Sequence, residues 1–419
     1  MLQLPEVQAL YSLTPDGRWL FATRMVRMFA YGLIAIILGL YLVQVGFSDT
    51  QVGLVLSLTL LGDAAVSLPI TIIADRLGRR RMLLVGAGLM IFAGVVFALT
   101  TNILPLTLAA IIGTISPSGN EVGPFLAVEQ AALPHTTTDQ HRTQVFAWYS
   151  LGGSVMTGVG SFAGGLLAQA LIGAGQTPLN SYRGVILVYA VLGAVLAVMF
   201  TRLSPAIEIE TAPGPVSLGS LFGLKRSRGV VTRLSLLFMI DAFAGGLVVQ
   251  SLVAVWFNRR FGIDPATIGA IYLGANFFAG LSALAAARVA ARYGLVRTMV
   301  YSHVPSNVLL ILVPLMPSLP LAILVLLARY SISQMDVPTR QSYTVAVVDP
   351  DERSAANGIT NIARTTASAL SPGVTGALFS AGGGWLSVPF FVAGGLKLIY
   401  DVLLYRMFVS VKPPEEQNP

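Results

Sequence analysis

Several segments of this sequence carry charged side chains inside long apolar runs, where they could pair or transfer protons. The clearest is SISQMDVPTRQSYTV at 331–345, which follows the apolar run LPLAILVLLARY at 319–330 and places Asp336 four residues before Arg340. An acid and a base at this spacing lie on one face of a helix and can neutralise each other. Alternatively, Asp336 could pair with Arg364 on another helix, and a proton could break that pair. The sequence leaves both pairings open.

Three further charged residues fall inside other apolar runs, namely Glu121, Asp241 and Arg364. At a rise of about 1.5 Å per residue, these three and Asp336 are predicted to lie roughly 6 Å to the cytoplasmic side of their helix midpoints. A charge inside a bilayer costs about 2.5–3.5 kcal/mol on insertion scales, so such positions often mark proton relays or substrate pathways. We expect Asp336 or Glu121 to bind a coupling proton, with Asp241 as a further candidate.

Other charges in apolar runs have structural explanations. Arg24 and Arg27 lie within a few turns of the cytoplasmic end of the first run, where long side chains can extend to the water. Lys397 and Asp401 are four residues apart in the last run and are expected to neutralise each other. Asp63 is expected to act in packing or at a gate.

The composition indicates which elements must hold these residues. Of 419 residues, 55% are apolar and 11% are charged, whereas soluble domains have about 25% charged residues. Cysteine is absent, which excludes disulfides and thiolate chemistry. A helix needs about 20 mostly apolar residues to span a bilayer. We predict an all-α membrane protein with twelve transmembrane helices, at 18–45, 51–74, 82–101, 104–131, 142–172, 183–202, 231–257, 266–290, 297–316, 319–346, 354–380 and 386–409.

The basic residues between these spans predict the orientation. With the N-terminus in the cytoplasm, Arg183, Arg259 and Arg260 are the basic residues that fall at the opposite side, and an excess of lysine and arginine marks cytoplasmic loops. We therefore predict a multi-pass protein of the cell (inner) membrane with both termini in the cytoplasm. This topology explains the formal net charge of +7 and argues against nucleic-acid binding.

The two halves of the chain repeat. ADRLGRRRM at 74–82 aligns with AARYGLVRT at 290–298, and the same offset superposes 115–134 on 331–350. A constant offset indicates two parallel repeats, as in transporters whose halves are related by an axis along the membrane normal. We predict two pseudo-symmetric six-helix bundles joined by a polar cytoplasmic linker, with the boundaries 1–202, 203–230 and 231–419.

The loop after the second span carries ADRLGRRR at 74–81. It resembles the signature of the major facilitator superfamily in this loop: a Gly, three residues, then Asp-Arg-x-Gly-Arg-Arg. Thr71 stands where the first Gly is expected. The resemblance implies the fold of that superfamily, with a contact between the halves that closes the cytoplasmic side. Glu129 is expected to pair with Arg76 or Arg79. The residues of this predicted cytoplasmic gate are Asp75, Arg76, Gly78, Arg79, Arg80 and Glu129.

The resemblance also implies that the first, fourth, seventh and tenth helices line a central cavity, with the second, fifth, eighth and eleventh beside them. Glu121, Asp241 and Asp336 would then face a water-filled pocket, which Arg364 could reach. The predicted substrate-binding residues are those that could form hydrogen bonds there: Arg340, Arg364, Tyr31, Asn120, Asn361 and Gln334.

The function that the sequence predicts is secondary active transport of a small solute by alternating access. Our first expectation is proton-coupled efflux of an amphiphilic drug or metabolite, as in an antiporter. The alternative is a proton-coupled carrier of an organic or phosphorylated anion, and the alternative from another class is a non-transporting membrane receptor. With three histidines and no Gly-Lys-Ser/Thr phosphate loop, we expect no enzyme activity, metal or cofactor. The expected partners are the solute, protons and lipid, and the chain is expected to be a monomer.

Overall fold

The computed structural model describes residues 13–137, 142–208, 224 and 226–411. The regular structure in these ranges is helical. The helices of the first half are α1 (Pro15–Val45), α2 (Asp49–Leu77), α3 (Arg79–Leu99), α4 (Ile103–Ile112), α5 (Phe125–Ala132), α6 (Arg142–Gly173) and α7 (Pro178–Phe200). The helices of the second half are α8 (Arg228–Leu247), α9 (Gln250–Phe261), α10 (Pro265–Tyr293), α11 (Leu295–Leu312), α12 (Leu319–Tyr330), α13 (Asp336–Ala346), α14 (Arg353–Ser380) and α15 (Val388–Phe408).

Nine helical stretches of the described residues are long and apolar enough to cross a membrane, whereas we predicted twelve continuous spans. The fourth and tenth predicted spans, 104–131 and 319–346, are each interrupted, which leaves α4 and α12 as shorter apolar helices. The eleventh corresponds to α14, which is 28 residues long but rich in serine, threonine and asparagine. The all-α fold class is therefore as predicted, while continuous helices at the fourth and tenth positions were wrong. The seventh predicted span, 231–257, is also divided, into α8 and α9.

The interruptions follow from the local sequence. Residues 113–124 read GTISPSGNEVGP, and Gly119 and Gly123 have φ angles of 69° and 80°, which glycine adopts at low cost. The prolines in this segment also remove backbone donors that a helix needs. The second interruption, at 331–335, lies at the equivalent place of the second repeat. Interrupted helices at corresponding places of two repeats are typical of binding regions in transporters.

Side chains cap several helix ends. Thr14 accepts a hydrogen bond from the amide of Gly17 at the start of α1. At the start of α10, Asp264 accepts hydrogen bonds from the amide and the hydroxyl of Thr267, both at 2.9 Å. Burial alone would raise the pKa of Asp264, but these hydrogen bonds to the ionised carboxylate outweigh it and hold that pKa below its ordinary value. Asp264 is thus an N-cap that works in its charged form.

The described chain forms two compact units. Unit 1 comprises the described residues of Met1–Phe47, Leu58–Pro215 and Phe257–Leu273. Unit 2 comprises those of Ser48–Ser57, Val216–Trp256 and Gly274–Pro419. Most of the predicted N-terminal bundle lies in unit 1 and most of the predicted C-terminal bundle in unit 2, while one short segment of each belongs to the other unit.

In unit 1, α1 and α6 cross at very short range through glycines. A Cβ atom added to Gly32 would lie 1.9 Å from the backbone oxygen of Thr157, and one added to Gly160 would lie 1.9 Å from that of Phe29. Both positions therefore require glycine, as at other small-residue crossings of membrane helices. This crossing fixes the helix that carries the first group of buried charges.

In unit 2, helices α8, α11, α13 and α15 enclose a core of aliphatic and aromatic side chains. The rings of Phe238 and Tyr400 lie in this core, with their centroids 6.5 Å apart. The guanidinium groups of Arg340 and Arg364 lie 5.6 and 6.0 Å from the centroid of Phe238, within the range of cation–π attraction. The apolar core of unit 2 therefore directly adjoins a second group of charges.

Candidate functional site

The first group of buried charges connects α1, α5 and α6 of unit 1 with the non-helical segment 113–124. Nη1 of Arg24 lies 2.8 Å from Oε2 of Glu121, and Nε of Arg27 lies 2.6 Å from Oε1 of the same carboxylate. Arg27 also binds Glu129 through both terminal nitrogens, at 2.7 and 2.6 Å. Tyr149 donates its hydroxyl to Glu129. We call these five residues the unit 1 cluster.

The unit 1 cluster corrects one prediction and bears on a second. Arg24 and Arg27 are 8% and 0% exposed, so they do not extend to the water; the carboxylates of the cluster hold them inside. Glu129 is bound by both terminal nitrogens of Arg27. Of its two expected partners, Arg79 donates from its guanidinium to the carbonyl of Ile207 at 3.2 Å, and the side chain of Arg76 lies outside the described residues. Buried charges persist where they are paired and hydrogen-bonded. The pairing partners of α1 lie about a hundred residues along the chain, where sequence spacing gives no sign of them.

The loop between α2 and α3 carries most of the predicted gate. Gly78 has a φ angle of 103°, which lets the chain turn sharply into α3. The carboxylate of Glu208 accepts hydrogen bonds from the amides of Arg79 and Arg80, at 2.6 and 3.2 Å. It thus occupies the N-terminus of α3, where the helix dipole favours an anion. Two further members of the predicted gate, whose side chains lie outside the described residues, are Asp75 and Arg76.

Residues 113–124 pass through unit 1 without forming a helix, and side chains of the surrounding helices bind their backbone. Tyr31 of α1 donates its hydroxyl to the carbonyl of Val122 at 2.9 Å. Asp63 of α2 accepts a hydrogen bond from the amide of Gly123 at 2.5 Å. Irregular backbone at membrane depth is tolerated where its polar groups are satisfied in this way. The side chains that bind two further carbonyls of this segment are Tyr189 and Thr157.

The charged group of unit 2 is centred on Asp241 of α8, which is 4% exposed. Its Oδ1 lies 2.5 Å from Nζ of Lys397, and its Oδ2 lies 3.3 Å from Nη1 of Arg340 and 3.5 Å from Nη1 of Arg364. Arg340 also contacts Asp336, with Nη1 2.7 Å from Oδ2. Of the two pairings that the sequence left open, the structure therefore contains the one between Asp336 and Arg340, while Arg364 faces Asp241.

Lys397 and Asp401 do not form the pair that their spacing predicts. Lys397 reaches Asp241, whereas Asp401 faces Nδ1 of His303 at 2.8 Å and accepts a hydrogen bond from Nδ2 of Asn307 at 2.8 Å. His303 lies between the two acids, since its Nε2 is 3.8 Å from Oδ1 of Asp241. The i,i+4 prediction was wrong because neighbouring helices offer each side chain another partner.

We call the connected charged and polar residues of unit 2 the unit 2 network: Asp241, His303, Asn307, Asp336, Arg340, Arg364, Lys397 and Asp401. Its three carboxylates and three permanent cations balance, and the imidazole adds a positive charge only when protonated. Buried charges at these distances compensate one another, which offsets the cost of removing them from water.

Arg364 is the most accessible cation of the unit 2 network. Its side chain is 28% exposed, against 8% for Arg340 and 9% for Lys397. Its Nη1 lies in the buried part of the side chain and has no hydrogen-bond partner among the described residues. A guanidinium carries five donors, so Arg364 retains the capacity to bind a further acceptor.

The predicted single layer of charges is divided between the two groups. Glu121 is compensated inside unit 1, whereas Asp241, Asp336 and Arg364 share the unit 2 network. Among the other predicted substrate-binding residues, the hydroxyl of Tyr31 is engaged by backbone, as described above. Asn120 and Asn361 are exposed. The backbone amide of Gln334 donates a hydrogen bond to the hydroxyl of Ser282 at 3.2 Å.

Sequence reasoning missed His303 and Asn307 as members of a charged network. The available signal was their i,i+4 spacing, which places an imidazole and an amide on one face of a predicted membrane-spanning helix. Within the described ranges, no group of three or more acidic, histidine or cysteine residues is arranged to hold a metal ion. The charged side chains of the unit 2 network can exchange protons and form ion pairs.

The profile of the Major Facilitator Superfamily matches residues 20–257 and 234–419. An uncharacterized membrane protein of Saccharomyces cerevisiae, YJR124C, is 29% identical over 426 residues, which cover 94% of each chain. The nucleoside transporter NupG has a similar structure, with a TM-score of 0.69 and 14% identity over 94% of this chain and 99% of that one.

Two further solved structures share the fold. A bacterial homologue of the human lysosomal transporter Spinster, in an inward-facing and occupied conformation, gives a TM-score of 0.70 with 16% identity over 94% of this chain and 97% of that one. The human organic anion transporter MFSD10 gives a TM-score of 0.61 with 17% identity over 96% of this chain and 100% of that one. At these identities the structures support the fold, and the profile match extends over nearly the whole sequence. The chain belongs to the Major Facilitator Superfamily.

Proposed function

We propose that the chain is a proton-coupled secondary transporter of a small anionic solute, working by alternating access, and that the unit 2 network links proton binding to solute binding. The observation that carries this proposal is the sharing of Asp241 by Lys397, Arg340 and Arg364, at 2.5–3.5 Å, in a buried site. Where several cations share one carboxylate, a change in any one contact alters the charge that the others present to a ligand.

Asp336 is the residue that we assign to the coupling proton. Its closest cation is Arg340, which it shares with Asp241, and it lies in the first turn of α13, beside the interruption at 331–335. Protonation of Asp336 would leave Arg340 with Asp241 as its carboxylate partner. Arg364, held at 3.5 Å, would then be the cation that Asp241 releases most easily. Of the two other sequence candidates, Asp241 is held by three cations and Glu121 by two guanidinium groups, so both are less suited to this exchange.

An anionic solute fits this mechanism better than a cationic one. A proton on Asp336 and an anion on Arg364 add one charge of each sign, so the net charge of the network stays the same. Guanidinium groups bind carboxylates and phosphates through paired hydrogen bonds. The partly exposed guanidinium of Arg364 thus favours an organic or phosphorylated anion over the amphiphilic efflux substrate that we first expected from the sequence.

The test combines ligand screening with flux measurements on purified protein. A thermal-shift screen with carboxylates, phosphorylated compounds, amines and neutral solutes identifies compounds for flux assays in proteoliposomes. We expect anions to stabilise the protein, and a pH gradient to drive their uptake or release; the gradient orientation that works gives the direction of transport. In Asp336→Asn the gradient should no longer drive flux, whereas exchange of labelled solute across the membrane should continue.

The matched control is Asp264→Asn, the same chemical change at an acid that caps α10 outside the unit 2 network. It should leave gradient-driven flux unchanged. In Arg364→Gln, anion stabilisation and flux should both disappear. The proposal fails if Asp336→Asn retains full gradient-driven flux, or if only amines and neutral compounds are bound and moved.

The proposal includes the topology and assembly. The distribution of basic residues supports a protein of the cell (inner) membrane with both termini on the cytoplasmic side. We also propose that a single chain is the transporting unit. Tags at the two termini should resist protease added to intact cells and become sensitive after permeabilisation. Cleavage of either tag in intact cells would refute this orientation.

A further inference from the structure

His303 lies between two carboxylates, and the proposed function does not use it. The ring is 5% exposed. Its Nδ1 lies 2.8 Å from Oδ1 of Asp401, and its Nε2 lies 3.8 Å from Oδ1 of Asp241. The edge of the ring faces Tyr400, with centroids 5.9 Å apart. Histidine is the side chain whose charge ordinarily changes between about pH 5 and 8, so a histidine in contact with a carboxylate node is a candidate proton-binding group.

The hydrogen bonds of Asp401 decide which ring nitrogen carries the proton in the neutral state. Oδ2 of Asp401 accepts a hydrogen bond from Asn307, and Oδ1 faces Nδ1 of His303. An ionised carboxylate only accepts, so Nδ1 is the donor. In the neutral ring, Nε2 therefore presents a lone pair to Asp241. That contact is repulsive, and a proton on Nε2 makes it attractive.

We propose that His303 is a proton-binding site that controls the charge at Asp241 and thereby sets how readily Arg364 binds an anionic solute. The last step rests on the proposed function. When Nε2 takes up a proton from water, one N–H bond forms and the ring becomes an imidazolium. The charges of the network, balanced before, then sum to one positive charge. Asp241 has an additional cationic neighbour, so its hold on Arg364 weakens.

The groups around His303 come from several helices. Asp241 of α8 and Asp401 of α15 face the two ring nitrogens. The cations act through Asp241: Lys397 binds the oxygen that faces Nε2, whereas Arg340 and Arg364 bind the other. The helices packed against α11 carry further titratable groups, among them Tyr400 and Tyr405 on α15 and Asp336 and Tyr343 on α13. Arg329 and Tyr330 lie on α12, where the guanidinium stacks over the tyrosine ring. The two acids thus face the ring directly and favour its protonation. The three cations all contact Asp241, and they reduce the effect of that carboxylate on the ring.

The first experiment measures the charge of His303 itself and needs no ligand. The chain has three histidines, so ¹³C labelling of the imidazole ring gives three NMR signals, and His303→Gln identifies one of them. We expect the chemical shift of this signal to change with pH as the ring takes up its proton. In Asp241→Asn its midpoint should move to lower pH by about one unit or more, because an opposite charge within about 4–6 Å shifts a titration by about 1–3 units. In Arg364→Gln the midpoint should move to higher pH.

Two outcomes of the titration overturn the inference. One is a His303 signal that does not move between pH 5 and 8, which would mean that the ring has a fixed structural charge. The other is an equal midpoint in the wild type, Asp241→Asn and Arg364→Gln, which would mean that the ring does not sense the network. The variant Asp264→Asn controls for a general effect of removing an acid and should leave the midpoint in place.

The second experiment measures the effect on solute binding with three probes of similar size: benzoate, benzyl alcohol and benzylamine. We expect benzoate to bind the wild type at least several-fold more tightly at pH 6 than at pH 8, and the other two to show no such gain. The decisive comparison is made in the Asp336→Asn background, where the proposed coupling proton cannot bind, so that any remaining pH dependence comes from another group. His303→Asn can still donate to Asp401 but cannot take up a proton, so Asp336→Asn/His303→Asn should fold and lose the pH dependence that remains in Asp336→Asn. A pH dependence that is equal in the two variants, or no binding of benzoate to the wild type at pH 6, overturns the solute step.

The two proposals fail separately. If Asp336→Asn abolishes gradient-driven flux while His303 does not titrate, this inference is wrong and the proposed function stands. If His303 titrates and responds to Asp241→Asn, but no solute is moved by a pH gradient, proton-coupled transport is wrong and His303 remains a pH-sensitive group of the unit 2 network.

Discussion

Replacing Arg27 with methionine would measure how far the unit 1 cluster stabilises the fold. Arg27 is fully buried, and its guanidinium contacts Glu121 at 2.6 Å and Glu129 at 2.6 and 2.7 Å. Methionine preserves much of the apolar stem but leaves Glu129, which is also fully buried, without its cation. Removing one partner of a buried ion pair costs about 3–5 kcal/mol, because the remaining charge is uncompensated. We expect Arg27→Met to lower the free energy of unfolding by about this amount.

The assay is equilibrium unfolding in mixed detergent–SDS micelles, with the thermal midpoint as a second readout. In Arg27→Met/Glu129→Gln the uncompensated charge is gone, so the double variant should be more stable than Arg27→Met alone. Glu121 keeps Arg24 as a partner in both variants. The surface control is Arg226→Gln, whose side chain is 70% exposed beside Asp351 and should unfold like the wild type. The reasoning is refuted if Arg27→Met is as stable as the wild type. It is also refuted if the loss of unfolding free energy in the double variant equals the sum of the losses in Arg27→Met and Glu129→Gln.

Three further predictions concern the elements that hold these groups. Gly32→Ala should lower the thermal midpoint, because its Cβ would lie 1.9 Å from a backbone oxygen, whereas Gly88→Ala, with open space around its Cβ, should be neutral or stabilising by about 0.5–1 kcal/mol; equal midpoints would contradict the helix crossing. Asp63→Ala should increase amide hydrogen exchange in 113–124 by removing the acceptor of Gly123, and unchanged exchange would show that the segment does not depend on it. Asp264→Ala should destabilise by about 0.5–2 kcal/mol at pH 7. Because the folded pKa of Asp264 is depressed, its contribution is present above the unfolded pKa and declines as pH falls through the folded one, so the difference from wild type should shrink in thermal scans at acid pH.

The fold class could be predicted from the sequence because lipid leaves few alternatives. A chain with 11% charged residues and many long apolar stretches must form the hydrogen bonds of its backbone N–H and C=O groups within helices. The interruption at 113–124 was predictable in kind from GTISPSGNEVGP, since Gly and Pro weaken a helix wherever they occur. We predicted a continuous helix there because we gave the length of the apolar stretch more weight than the glycine and proline residues within it. The side chains that bind the open backbone come from other helices, which no local pattern reveals.

Part of the membership of the candidate site could be predicted, and less of its pairing. The cost of burying a charge alone singled out Asp241, Asp336 and Arg364 as residues that require a partner or a function, whereas His303 and Asn307 were missed. Spacing offered Arg340 as one of two possible partners of Asp336, because both residues lie on the same helix. The same rule failed for Lys397, because Asp241 on another helix lies within 2.5 Å of it. Local spacing shows which pairs are possible, and tertiary packing decides which of them form.

The two groups of buried charges adjoin interruptions at equivalent places of the two repeats, yet they differ in how completely their charges are bonded. In the unit 1 cluster, the guanidinium of Arg27 is shared between two carboxylates at 2.6–2.7 Å, so any rearrangement would expose a buried charge at high cost. In the unit 2 network, Nη1 of Arg364 lies 3.5 Å from its carboxylate and makes no hydrogen bond among the described residues, and the side chain is 28% exposed, so an alternative partner costs far less. We therefore expect substitutions in the first group to act mainly on stability. Substitutions in the second should act mainly on the pH dependence of solute binding, and a comparison of thermal midpoints with flux for Arg27→Met and Arg364→Gln should separate the two.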